Sequence, residues 1–136
     1  MKIKTHNMKS THKDAHFFIL SKGNNSGKPL DQPCPNCFVC LCSNEEEKKR
    51  YYWLFYGLWQ GMYFQPFITG SVIPFIRLDD LKKVVQTTMS KIDLKPQQFE
   101  KNVSMIQLLN ERSKLIQEQI KLIKEAKRAL MYQVLK

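Results

Sequence analysis

The chain predicts an α+β fold: a small twisted sheet with an aromatic-rich helix packed on it, followed by a long coiled-coil-like C-terminal helix. Three observations predict it. Short apolar runs, "HFFILSK" and "CFVCLC", are bounded by Gly, Pro, Asn and Ser. An aromatic-dense stretch, "YYWLFYGLWQGMYF", opens directly after three glutamates. The C-terminal stretch carries Ile and Leu at alternating spacings of three and four.

Taken in order, residues 1–14 are polar and lysine-rich, a segment expected to be flexible or to lie at an edge. Residues 16–22 read as a strand, residues 23–36 ("GNNSGKPLDQPCPN") as a loop, and residues 37–42 as a second strand. The segment 43–64 has a helix start. Ser43 or Asn44 can cap it, Ser43 with Glu46 fits a capping box, and Glu45, Glu46 and Glu47 complement the helix dipole. Tyr51, Leu54, Phe55, Leu58 and Trp59 follow at helical spacing, and Tyr52, Trp53 and Tyr56 widen the apolar face, so burial on most sides is expected. Gly61, Pro66 and Gly70 mark an exit loop. "SVIPFIRL" then reads as a strand that Pro74 restricts to an edge or bulge, because proline removes one ladder donor. "LDDLKKVVQTTMSKI" reads as a short helix opened by Asp79 and Asp80, with Leu81, Val84 and Val85 facing inward. These elements make residues 15–95 the expected domain.

Residues 96–136 read as one helix with Pro96 in the tolerated first turn. Ile106, Leu109, Ile116, Ile120, Ile123, Leu130 and Val134 fall on a heptad, with Ser113 and Lys127 in the same register. Leu108, Leu115, Leu122 and Ala129 form a second stripe. At 1.5 Å per residue such a helix spans roughly 60 Å, more than a domain this small can cover. A homodimer through Ile106, Leu109, Ile116, Ile120, Ile123 and Leu130 is the expected use of the stripe.

The net charge is +10, and it is spread along the chain: residues 1–43 carry six lysines against two aspartates, while residues 44–61 are balanced. An excess of this size points to an anionic partner, with nucleic acid foremost. No apolar run reaches membrane-spanning length, the longest being broken by Gly57, Gln60 and Gly61, and the N-terminus lacks an apolar signal core. A cytoplasmic location follows as the expectation. Cys34, Cys37, Cys40 and Cys42 crowd into "CPNCFVCLC" with no second pair downstream, and His6, His12 and His16 lack ligand spacing. The cysteines therefore read as small buried hydrophobes, and no cofactor or metal is expected; a zinc ion shared between two chains by Cys34 and Cys37 is left open. Nor is there a nucleophile elbow, a phosphate loop, a zinc-protease motif or a catalytic carboxylate pair. Asp79 and Asp80 read as capping residues, so an enzyme is not expected.

The order strand, Gly/Asn loop, strand, aromatic helix, glycine turn, "GSVIPFIRLDDL", long helix resembles the target-recognition half of the specificity subunit of type I restriction–modification enzymes. In that family an aromatic helix ends in a loop. A "G-S-x-x-P/Q-x-I-x-x-x-D-L" strand segment follows, and a long helix closes the unit. The matching residues here are Tyr51 to Leu58, Gly70 to Leu81 and Leu109 to Leu135, within 36–136. The resemblance implies double-stranded DNA as partner and a second copy of the chain to supply the other half-site. It also implies phosphate contact by Lys22, Lys28, Arg77, Lys82 and Lys83, and base-edge contact by Asn24, Asn25, Ser26, Gln65, Thr69 and Ser71. The alternative is a modulator that docks on a restriction–modification subunit through its long helix without binding DNA. "HFFILSKGNNSGKPL" and "PCPNCFV" are also similar to the signature of a group of small Bacteroides-type proteins often linked with mobile elements, a kinship that carries no activity with it.

Overall fold

The computed structural model describes residues 1–136, which divide into two compact units, Met1–Asp93 and Leu94–Lys136. The first unit is built on a four-stranded antiparallel sheet of β1 (Lys2–Thr5), β2 (His16–Leu20), β3 (Pro29–Leu30) and β4 (Cys37–Leu41), in the order β1-β4-β2-β3. Helix α1 (Glu45–Gln60) and helix α2 (Leu78–Ile92) complete it. The expected α+β class, with an aromatic helix on a small sheet and a long C-terminal helix, is what the structure has.

Strand pairing decides which side chains share a face. Ile3 and Phe17 both stand opposite Cys40, and Ile19 stands opposite Phe38. This face meets α1, whose Tyr52 and Phe55 rings each approach the Phe17 ring edge-on at 5.6 Å. The opposite face gathers Phe18, Cys37 and Val39 with Leu30, Cys34 and Leu41. Both faces of β4 are thus covered, so its residues Cys37, Phe38, Val39 and Cys40 are all buried instead of alternating. Leu81, Val84 and Val85 are the buried stripe of α2, which lies against β1.

The N-terminal segment is corrected from a separate piece to a part of the unit. Of the two expectations for residues 1–14, the edge holds: Ile3 is buried and β1 pairs with β4 over its whole length. The expected Ser43–Glu46 capping box is not formed; the cap lies one residue later. Asn44 is the N-cap, its Oδ1 accepting from the Glu47 N–H at 2.8 Å, and the Ser43 N–H donates to Glu47 Oε2 at 2.6 Å. That donation and the Met1 ammonium 3.0 Å away hold the Glu47 carboxyl down at about 2. Asp79 and Asp80 lie in the first turn of α2, but the N-cap is Arg77, with no side-chain cap bond. The aromatic helix is less buried than its composition suggests. Leu54, Phe55 and Leu58 are buried, whereas Tyr51, Tyr52, Trp53, Tyr56 and Trp59 are half-buried. It closes in a Schellman motif, with Tyr63 N–H on the Leu58 carbonyl and Met62 N–H on the Trp59 carbonyl. The left-handed position is Met62 (φ 62°), one residue after Gly61.

"SVIPFIRL" is not a strand. Residues 69–75 form a tight loop closed by a two-way bridge, Thr69 N–H to Phe75 O (2.9 Å) and Phe75 N–H to Thr69 O (2.8 Å). Pro74 has no N–H, and Gly70 sits at φ 112°, so the chain folds back before a ladder can extend. Only the last part runs beside the sheet, where Gly23 N–H donates to Pro74 O and Ile76 N–H to Ser21 O.

The second unit is a single helix, α3 (Pro96–Leu135), with Pro96 in its first turn. It has no buried residue, and every position from Glu111 onward is exposed.

Candidate nucleic-acid interface

The chain leaving β2 must reverse within a few residues to reach β3, and two glycines make this possible. Gly23 and Gly27 lie at φ 93° and φ 97°. Between them Ser26 is wholly buried, its N–H and Oγ both donating to the Gly23 carbonyl (3.2 and 2.6 Å). A Cβ on Gly27 would fall on the Phe64 ring, so the loop lies flat on that buried phenylalanine. The reversal leaves Asn24 and Asn25 exposed at its tip.

Three neighbouring segments converge on this loop. Gln65, in the short 3-10 turn Gln65–Phe67, donates from Nε2 to the Asn24 carbonyl at 3.0 Å. Trp59 Nε1 donates to Asn25 Oδ1 at 3.4 Å, and Lys28 Nζ stands 4.9 Å from the centre of the Trp59 ring. That separation is cation–π contact. The 69–75 loop is tied on by the Gly23–Pro74 and Ser21–Ile76 hydrogen bonds, which set Lys22 opposite Phe75 and bring exposed Arg77 close behind. Thr69 and Ser71 are exposed on the same loop. Lys22, Lys28 and Arg77 form no ion pair with a carboxylate. Their charge is left to face solvent, beside the amides of Asn24, Asn25 and Gln65.

Of the residues expected at a contact surface, Asn24, Asn25, Lys28 and Gln65 lie together and Lys22 and Arg77 lie beside the adjoining 69–75 loop, while three others lie apart. Ser26 is withdrawn from any surface role, because it is buried and its hydroxyl is spent on the loop's own backbone. Lys82 and Lys83 belong elsewhere. Lys82 lines a cavity of about 260 Å³ with Met1, Lys2, Ile3, Val85 and Gln86 against edge strand β1, with β4 between that strand and β2. Lys83 is exposed on the same helix. Trp59 is the site residue that helical spacing concealed. It reads as core, yet it is half-buried and positions both Lys28 and Asn25.

A family model described as a family of unknown function, DUF6943, matches residues 3–133. The chain belongs to that family. The match begins in β1 and ends in the last turns of α3, so it takes in both units. No curated protein and no solved structure matches.

Two other groupings bear on chemistry. His6, His12 and His16 come together around Phe18, with His6 Nδ1 3.2 Å from His12 Nε2 and ring centroids 5.3 Å (His6–His12) and 5.2 Å (His12–His16) apart. Sequence separation hid this cluster, which exists only because the turn after β1 folds back over β2. Burial, and then the neighbouring His16, His6 and Lys4, push the His12 imidazole below its ordinary value. All four cysteines are free thiols. Cys40 and Cys42 share a face with their sulfurs 4.0 Å apart, Cys37 Sγ donates to the Cys34 carbonyl at 3.1 Å, and burial raises the thiols of Cys37, Cys40 and Cys42. No three His, Cys, Asp or Glu side chains stand so as to hold a metal ion. No helix is long and apolar enough to cross a membrane.

On α3, Leu109, Ile116, Ile120, Ile123 and Leu130 are exposed, as are Leu108, Leu115 and Leu122 of the second stripe, while Ile106 is half-buried. These side chains recur along one face of the helix, interrupted at Ser113 and Lys127.

Proposed function

We propose that the protein is a dimeric, non-catalytic, cytoplasmic DNA-binding protein organised like one half of a type I restriction–modification specificity subunit. One observation carries the reading: Asn24, Asn25, Gln65 and Lys28 are joined around Trp59, the adjoining 69–75 loop is tied on beside Lys22 and Arg77, and none of these cations is neutralised by a carboxylate. Cations among amides match what a duplex offers, phosphates flanking base edges. A single surface of this size reads few base pairs. A second copy, joined through the Ile116, Ile120 and Ile123 face of α3, doubles the contact.

The test is binding of the purified protein to random duplex DNA at about 50 and about 200 mM salt, with its solution mass recorded alongside. The expected result is a dimer whose affinity falls steeply with salt. Lys22→Ala and Arg77→Ala should weaken binding and flatten that salt dependence, while Lys82→Ala changes neither. Protein that ignores duplex DNA at the lower salt overturns the reading.

The exposed apolar face of α3 favours one second reading, a modulator that docks this helix on a restriction–modification subunit. It requires a monomeric free protein with no DNA affinity, which the same experiment distinguishes. Replacing Ile116 and Ile123 by Asp should convert a dimer to monomer, and would leave the mass of an existing monomer unchanged.

A further inference from the structure

The 69–75 loop presents two aliphatic side chains to solvent at its tip. Val72 is 89% exposed, the most exposed large apolar residue of the chain, and Ile73 is 59% exposed. Apolar tips are ordinarily mobile, but this one is braced from below. The two-way Thr69–Phe75 bridge closes it, and the Gly23–Pro74 and Ser21–Ile76 hydrogen bonds fasten its base to the end of β2. Gly70 sets the bend at φ 112°, where a Cβ would lie 2.6 Å from the Ile73 carbonyl oxygen. Lys22 is paired with Phe75 at that base, and exposed Arg77 follows two residues after Phe75, so both cations stand beside it.

We propose that Val72 and Ile73 form a wedge that enters duplex DNA at a base step while Lys22 and Arg77 hold the flanking phosphates. The inference rests on the DNA-binding reading and adds to it a mode of engagement: the duplex is kinked, not merely contacted. Aliphatic side chains inserted between base pairs partly unstack them and bend the helix, and the bend lets more of the protein surface reach the backbone. A loop whose base is already fastened suits this role, since part of its ordering cost is met in the free protein. Flexible pyrimidine–purine steps are the expected points of entry. An anionic membrane is a poorer fit. Two aliphatic side chains offer too little apolar area for an anchor, and the loop tied to the base of the tip through Gly23 carries exposed Asn24 and Asn25, amides that match base edges better than acyl chains.

The test uses the full chain and a duplex carrying fluorophores at both ends, with binding read by anisotropy and bending by energy transfer. A second duplex carrying 2-aminopurine at a central TA step reports unstacking. Wild-type protein should bind, shorten the end-to-end distance and raise 2-aminopurine fluorescence. Val72→Ser with Ile73→Ser should lose the bend and the fluorescence rise, and bind roughly tenfold more weakly. Both positions are exposed, so thermal unfolding should match wild type and exclude misfolding. Arg77→Ala should weaken binding yet bend the DNA once saturated. Tight binding without a bend, or a bend that survives the double substitution, overturns the wedge and leaves DNA binding standing. No duplex binding at low salt overturns both. Binding to phosphatidylglycerol vesicles that requires Val72 and Ile73, with no effect on the duplex, also overturns the wedge and assigns the tip to lipid.

Discussion

Gly23 and Gly27 flank the loop that carries Asn24 and Asn25, and they allow backbone strain to be separated from steric overlap. Both adopt nearly the same dihedral, φ 93° and φ 97°, which an L side chain enters at a cost of about 1–2 kcal/mol. Their surroundings differ. A Cβ on Gly23 meets nothing within 4 Å, whereas on Gly27 it overlaps Phe64 Cδ2 and stands 2.7 Å from both Cε2 and Cγ. Phe64 has no room to retreat, being 1% exposed and stacked on Phe55 at 6.0 Å. Overpacking of this kind adds about 1–3 kcal/mol. Gly23→Ala should therefore cost about 1–2 kcal/mol and Gly27→Ala about 2–5 kcal/mol, a large share of the stability of a domain this size. In urea, with a slope near 1.5 kcal/mol per molar, a difference of about 2 kcal/mol separates the two midpoints by about 1.3 M at unchanged slope. Phe64→Leu in the Gly27→Ala background tests the cause. The ring is removed, so the double variant should be more stable than the sum of the single effects by about 1 kcal/mol or more. Equal midpoints for the two alanine variants, or strict additivity with Phe64→Leu, refute the argument.

Acidification should destabilise the protein through the histidine cluster. His12 has its folded-state value lowered, so near pH 6.5 the unfolded chain binds more protons and stability falls as the pH drops from about 7. His12→Asn should flatten that slope in urea unfolding measured from about pH 7.5 to 5.5, and an unchanged slope counts against the cluster's role. Among the thiols, half-buried Cys34 should take up iodoacetamide first in the native protein, with buried Cys37, Cys40 and Cys42 protected until denaturant is added, as peptide mass mapping would reveal. Met62→Gly should stabilise the protein by about 1 kcal/mol, because it relieves a left-handed methionine at the C′ position of α1; a lower melting temperature would contradict this.

Local chemistry alone determined much of the fold. The boundaries of α2, expected over 78–92, coincide with the structure because Leu81, Val84 and Val85 set a helical period and Asp79 and Asp80 favour a helix start. Pro96 likewise marks the start of α3, and the spacing of Ile116, Ile120 and Ile123 announces an unpartnered stripe. Where two adjacent residues compete for one role, local chemistry does not choose. Asn44 rather than Ser43 caps α1, and Met62 rather than Gly61 takes the left-handed position. The site shows the same division. Lysines and amides in a Gly/Asn loop are legible as contact chemistry, but their company is not. The gathering of Asn24 with Gln65, Asn25 and Lys28 with Trp59, and Lys22 with Phe75 links residues tens of positions apart, and so does the removal of Ser26 and Lys82 from that surface. Local propensity is written in neighbouring residues, whereas burial and convergence depend on strand order and register, which arise only when the chain closes on itself. Tertiary structure alone therefore decided that "SVIPFIRL" becomes a braced tip and not a strand, and that the three histidines meet.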